Sequence, residues 1–186
     1  MNHFLNNQFL IAMPAQRNKD FFHTVTYLCQ HNDEGALGII INRPTTMNLG
    51  DIFEQMGIKD ASEKSCKTPI HLGGPVQMER GFIIHDTGSD HWESSIAISD
   101  VVSLTSSRDI LEAIALDQGP ENYLIALGYA GWDAGQLEKE IVSNAWLNTP
   151  YEKSILYETP VSQRWTTAAN LIGIDINLLT SMAGHG

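Results

Sequence analysis

The stretch Asn122–Trp146, NYLIALGYAGWDAGQLEKEIVSNAW, sets three glycines, Gly128, Gly131 and Gly135, between an apolar run and a charged amphipathic segment. Tyr123 to Leu127 follows Gly119-Pro120 and reads as a short buried strand. Glycines at that spacing permit positive φ or the close approach of another backbone. The stretch therefore predicts a strand, a glycine turn, a helix over 133–143 and a tryptophan, Trp146, that hooks back. A strand end that passes through glycines into a helix N-terminus is a common place for a ligand site. On the helical wheel Ala134, Leu137 and Ile141 share one face with Glu138 at its border, while Gln136, Glu140 and Ser143 lie opposite. Glu140 reads as a solvated charge. Glu138 edges an apolar stripe and needs a partner, for which a backbone amide or an arginine is enough. The two carboxylates are about 160° apart, so they are not a paired acid and base.

Elsewhere strands come first and helices later. Phe9–Met13 is strand-like and stops at Pro14 after a polar lead-in from Asn2 to Gln8. Thr24–Gln30 and Ala36–Ile41 predict a hairpin with a loop of about 4–5 residues, ended by Asn42-Arg43-Pro44. Leu49, Ile52, Phe53 and Met56 are at helical spacing, closed by Gly57. Residues 58–69 read as a mobile loop, and His71–Val76 as a glycine-proline turn. Gly81–His85, Ser95–Ile98 and Val101–Leu104 are strands, with a turn over Asp86–His91. Ser106-Ser-Arg-Asp109 has the pattern of a capping box opening a helix. A strand over Ser154–Tyr157, a helix near Gln163–Leu171 and a short tail from Leu178 complete the chain. This order is not a regular βαβ alternation. It predicts an α+β fold over 1–186, one compact domain with a strongly curved, mostly antiparallel sheet flanked by helices.

A net charge of −11 argues against a general phosphate-backbone binder, which needs a basic face. Cys29 and Cys66 stand alone, which suits a reducing compartment. The apolar run at Phe9 is too short for a signal sequence or a membrane span, so a cytoplasmic protein with no membrane contact is expected.

Three blocks carry a family resemblance: Gly35-Ala-Leu-Gly-Ile-Ile-Ile-Asn-Arg-Pro44; Gly73-Gly-Pro-Val76 with Arg80-Gly-Phe-Ile-Ile-His85; and Gly128–Ile141 with Asn144-Ala-Trp146. In this order, with Leu10-Ile-Ala-Met-Pro14 and the terminal Gly184-His185, the chain resembles the YqgE/AlgH family of bacterial proteins over essentially its whole length. The resemblance implies a compact α/β domain with a strongly curved sheet. It brings no settled activity and no catalytic residues, although some members carry a transcriptional-regulator label tied to alginate production.

Asn42, Arg43, Gly73, Gly74, His85, Trp132, Asp133 and Gln136 all fall at strand ends or in glycine turns. Where Asn42-Arg43, Gly73-Gly74 and Gly131–Gln136 meet, they would form a concave site with an aromatic floor and Arg43 as anion anchor. The leading expectation is a non-enzymatic regulatory or ligand-sensing protein that takes a small molecule or a protein partner. The alternative is a hydrolase or transferase using Asp133, Glu138 or His85. No cofactor or oligomeric state is readable. His71, His85 and His91 match no chelating spacing, so no metal is expected. Ile83-Ile-His-Asp-Thr-Gly88 resembles one aspartic-protease loop but occurs once, and a strand-end turn explains it better. Cys29, within a strand, reads as an inert core thiol. Trp132, Trp146 and Trp165 lack surrounding cations and read as packing residues rather than base-stacking platforms.

Overall fold

The chain passes Gly128 and Gly131 without turning. Strand β9 runs unbroken over Tyr123–Asp133, so the glycine turn expected there is a bulge inside a long strand. Gly128 sits at φ 75°. One left-handed residue shifts the alternation of side chains by one. Before it, Leu124 and Ala126 face one core; after it, Tyr129 faces that core and Ala130 and Trp132 face another. A Cβ on Gly128 would come 2.5 Å from the Gly74 carbonyl oxygen, so both positions demand glycine.

The computed structural model describes residues 3–88 and 90–183. Asn2, Ser89, Gly184 and His185, all invoked in the sequence reading, lie outside them. The sheet runs in the order β10-β1-β2-β3-β9-β6-β8-β7. These strands are β1 (Gln8–Ala12), β2 (Val25–Asn32), β3 (Gly35–Ile40), β6 (Val76–Asp86), β7 (Ser95–Ala97), β8 (Val102–Thr105) and β10 (Trp146–Pro150). Off this path β4 (Pro44–Asn48) pairs with β5 (Pro69–Leu72), and β5 runs parallel to β9. Every other pairing is antiparallel, and the sheet curls into a half-barrel. The fold is α+β. The β2–β3 loop is tighter than expected: Asn32 pairs with Gly35, leaving Asp33 and Glu34 as the turn.

Helix α1 (Leu49–Met56) has a reciprocal capping box between Asn48 and Asp51, and Gly57 ends it at φ 67°. Helix α2 (Glu63–Cys66), capped by the Ser62 hydroxyl, occupies part of the expected 58–69 loop. Helix α3 (Arg108–Ala115) starts one residue later than the capping-box pattern implies. Ser107 is its cap residue, but the hydroxyl donates to the Asp109 carboxylate and accepts from Ser94 N. Helices α4 (Gln136–Val142), α5 (Arg164–Leu171) and α6 (Ile176–Ala183) follow. Ser154–Tyr157, expected as a strand, lies in a π-helical turn over Ser154–Glu158.

One face of the sheet buries Phe9, Tyr27, Ile39 and Ile84 beneath Ile155 and Trp165. The opposite face is divided. Leu10, Leu28, Trp132 and Trp146 make one cluster, and Ile70, Ile83 and Ile125 meet Phe53 and Ile114 from α1 and α3 in the other. Each fully buried large apolar side chain stabilises the fold by roughly 1.5–3 kcal/mol.

Candidate functional site

Strand β3 decides whether the predicted site residues meet. At its start Gly35 pairs with Asp133 and Ala36 with Trp132. Asn42 and Arg43 lie past its other end, about 20 Å away at roughly 3.3 Å per residue. Gly73 belongs with the Asn42 end, where its carbonyl accepts from Ile40 N at 2.8 Å. Gly74 lies against Tyr129, whose carbonyl carbon would be 2.0 Å from an added Cβ. His85 is on β6. The eight residues therefore occupy separate parts of the sheet instead of converging on one floor.

Their side chains are engaged locally. Asn42 accepts from Val25 N and donates to the His23 carbonyl, each at 2.8 Å. The Arg43 guanidinium donates to the carbonyls of Lys19, Asp20 and Phe22. Burial lowers its pKa, with Asp20 opposing. Arg43 thus clips the 19–22 turn to the sheet and is not an open anion anchor. Trp132 is buried, with Phe21 stacked at 5.8 Å between centroids.

Glu140 departs from its expected role. Its Oε2 accepts from Trp132 Nε1 at 2.9 Å and from Trp146 Nε1 at 2.8 Å, while Oε1 accepts from Gln136 Nε2 at 2.9 Å. Gln136 Oε1 in turn accepts from Asp133 N at 3.0 Å. Glu140 is therefore a shared acceptor for two buried indoles, not a solvated charge. The partner that Glu138 requires is neither an amide of another segment nor an arginine but His31, 2.9 Å away. Leu5 N donates to His31 Nδ1 at 3.0 Å, so Nε2 carries the hydrogen and donates to the carboxylate. The Glu138 pKa is lowered by its own backbone amide and by His31.

An open feature lies on the concave face, away from these residues. A groove of about 330 Å³ is walled by Cys29, Leu37, Phe82, Ile96, Leu104 and Tyr129. A bulge between Leu28 and Gln30 turns both Cys29 and Gln30 toward it. Exposed Arg80 lines the groove, with its guanidinium 5.1 Å from the Phe82 ring centroid and Nη2 3.5 Å from Ser106 Oγ. Among the described residues no carboxylate pairs with Arg80. Burial pushes the Cys29 thiol up, so it is a neutral wall. Apolar walls with one free cation suit a ligand that has an apolar body and an anionic group. Sequence reasoning missed this groove. Its one local signal was Arg80 beside Gly81-Phe82, a cation opening an apolar strand.

On the opposite face His85 pairs with Ser103 across β6–β8, and Ser95 pairs with Thr105 across β7–β8. His85 Nδ1 is 2.8 Å from the Asp86 carbonyl and Nε2 is 2.7 Å from Thr105 Oγ1. Burial lowers the His85 pKa, opposed by the Asp86 carbonyl and carboxylate. Asp86 itself accepts from Asn122 Nδ2 at 2.6 Å, the role of a strand-end turn. His71 Nδ1 is 3.2 Å from the Ile125 carbonyl, and Nε2 has no partner among the described residues. Burial pushes His71 down to about 4, with Ile125 opposing and Arg164 adding to the fall.

Among the described residues no three His, Cys, Asp or Glu side chains are grouped to hold a metal ion. No described helix is long and apolar enough to cross a membrane. A family model described as AlgH-like matches residues 9–177. A UPF0301 protein of Methylococcus capsulatus is 52% identical over 183 residues, covering 98% of this chain and 97% of that one. Another, from Thioalkalivibrio sulfidiphilus, is 51% identical over 179 residues, covering 96% and 95%. The solution structure of the AlgH protein from Pseudomonas aeruginosa superposes with a TM-score of 0.80 at 41% identity, covering 100% of both chains. A Corynebacterium diphtheriae protein shares the fold, with a TM-score of 0.75 at 16% identity over 96% of this chain and 93% of that one.

Proposed function

The chain belongs to the AlgH-like family, and from that premise we propose that it is a non-enzymatic, ligand-sensing regulatory protein whose ligand occupies the Arg80 groove. The carrying observation is a guanidinium over the Phe82 ring with no carboxylate partner among the described residues, in a groove of about 330 Å³ with apolar walls. The ligand class is a small amphipathic anion, a carboxylate or phosphate on an aliphatic or aromatic body. In this reading Asn42, Arg43, Gly73, Gly74, Trp132, Asp133 and Gln136 are the frame that fixes the curvature of the sheet, and Arg80 reads the charge. The regulatory half rests on the family resemblance, with an indirect effect on gene expression in the cytoplasm. A net charge of −11 opposes direct DNA contact.

A thermal-shift series of medium-chain fatty acids and aryl carboxylates, with alcohols of matched size as controls, tests this. An acid at about 100 times its Kd adds roughly 2.7 kcal/mol and raises Tm by several degrees. The shift is expected to vanish in Arg80→Gln and with the alcohols. No shift with any acid, or the same shift in Arg80→Gln, refutes the reading. DNA binding at moderate ionic strength with a steep salt slope would replace it with a nucleic-acid function.

A further inference from the structure

The main path of the sheet has two ends, and the sequence finishes them differently. Strand β10 closes one end with Pro150, which blunts an edge because it offers no N–H. Strand β7, Ser95-Ile96-Ala97, closes the other with neither a proline nor a charge, and all three residues are exposed. The phase of the β7–β8 ladder fixes which of its backbone groups face outward. Ser106 N donates to the Ser94 carbonyl, and Ile98 N donates to the Val102 carbonyl. Bonded pairs alternate along an antiparallel ladder, so Ile96 and Leu104 are the bonded pair between them. Ser95 and Ala97 therefore turn their N–H and carbonyl groups away from β8. Among the described residues no hydrogen bond reaches these four groups.

The same strand is a wall of the Arg80 groove. Ser94 and Ile96 line it, as alternation along the strand requires. Ser94 lies beside Ser106, whose hydroxyl is 3.5 Å from Arg80 Nη2. Ile96 is exposed and lies beside Leu104. A segment added to the outer edge of β7 would run about 4.8 Å from it. Its residues opposite Ile96 and Ser94 would set their side chains on the groove side, one extending the apolar wall and the other facing Arg80 across two serines.

We propose that the anionic group read by Arg80 belongs to an extended peptide of a protein partner, which docks by adding a strand to β7. The peptide carries a large apolar residue followed two positions later by Asp or Glu. That order follows from antiparallel addition, the commoner pairing. The proposal rests on the groove reading and names the bearer of the anion, so that small amphipathic acids act as mimics of these two side chains. Charge complementarity selects this occupant. Arg80 has no carboxylate partner among the described residues. A second copy of β7 would bring no acid in Ser95-Ile96-Ala97 and would join two chains of net charge −11.

The test is fluorescence anisotropy of a labelled, C-terminally amidated peptide, Thr-Thr-Ile-Thr-Glu-Thr, titrated with the full chain. In the antiparallel register its isoleucine faces Ile96, its glutamate faces Ser94, and the threonine between them donates its N–H to the Ser95 carbonyl. N-methylation of that threonine is expected to weaken binding by about tenfold, and replacing the glutamate by glutamine by about tenfold or more. In Arg80→Gln the glutamate and glutamine peptides are expected to bind equally. A peptide that binds as tightly when N-methylated overturns the proposal, and so does one whose glutamate matters as much in Arg80→Gln as in wild type. A dimer in sedimentation that Ala97→Pro dissociates would give the edge to a second copy and overturn it too. If fatty acids raise Tm through Arg80 while the peptide fails to bind at millimolar protein, the strand addition falls and the groove reading stands. If neither binds, the groove reading itself falls.

Discussion

The two faces at opposite ends of β9 handle polarity differently. Around Trp132 and Trp146 every indole N–H ends on Glu140, and Glu140 is held in place by Gln136. Neither indole N–H is left over for a ligand. Along β6, β7 and β8 the polar groups run outward: among the described residues Arg80 meets only a ring face and a distant hydroxyl, and Ser95 ends a chain of hydrogen bonds at a crevice. Aromatic and glycine residues drew the sequence reading to the first region. The difference shows that a dense constellation of functional-looking residues is a core when its polar atoms close on one another. A site is where they do not.

The most severe way to break this comparison is to empty the closed end. Trp146→Ala is expected to cost roughly 3–5 kcal/mol in urea unfolding, while acid binding in the groove persists below the lowered Tm. Loss of groove binding in a folded Trp146→Ala protein would join the two regions into one functional unit. Acid probes the other half. His71 is held at about 4, below the ordinary unfolded value near 6.5. Between those values the unfolded chain binds a proton that the folded one does not. Stability is then full above about pH 6.5 and falls as pH drops toward about 4, by about 3 kcal/mol in all. His71→Asn should flatten that part of the pH–stability curve, with His85 adding a smaller slope of the same sign.

Glu140→Ala leaves two buried N–H donors without an acceptor and is expected to cost about 2 kcal/mol, seen as a lower urea midpoint at unchanged slope. If Glu140 were the solvated charge that its wheel position suggests, the change would be near zero. The smallest stability effect belongs to Arg80→Gln, within about 0.5 kcal/mol. That variant is expected to unfold like wild type and yet lose the ligand-dependent rise in Tm.

The fold was more legible than the site. Strands β2 and β3 carry apolar β-branched runs, and α1 shows its apolar spacing, its cap and its closing glycine, so these stand out locally. Strand β4 escaped because its burial alternates between exposed and half-buried, with no apolar face to detect. Strand β10 escaped because it ends in Pro150, which an edge strand tolerates. The π-helical turn at Ser154–Glu158 was read as a strand because a short apolar run has no period of its own. The roles of Glu140 and Arg43 needed tertiary partners: a wheel ranks positions around one helix, whereas the acceptor of two indoles depends on β9 and β10. The groove draws its walls from β2, β3, β6, β7, β8 and β9, and only the curl of the sheet assembles them.

Gly128 carries a consequence for how this chain tolerates change. It puts a phase slip into β9, so the two halves of one strand are written in opposite frames. An ordinary strand that loses one residue turns the side chains beyond the gap to the opposite face. Here residue 128 is the extra one, so its removal alone would leave Tyr129 and Trp132 on the cores they already face. Substitutions on either side of the slip can therefore be absorbed separately, and the one length change that keeps both halves in frame is at the slip itself.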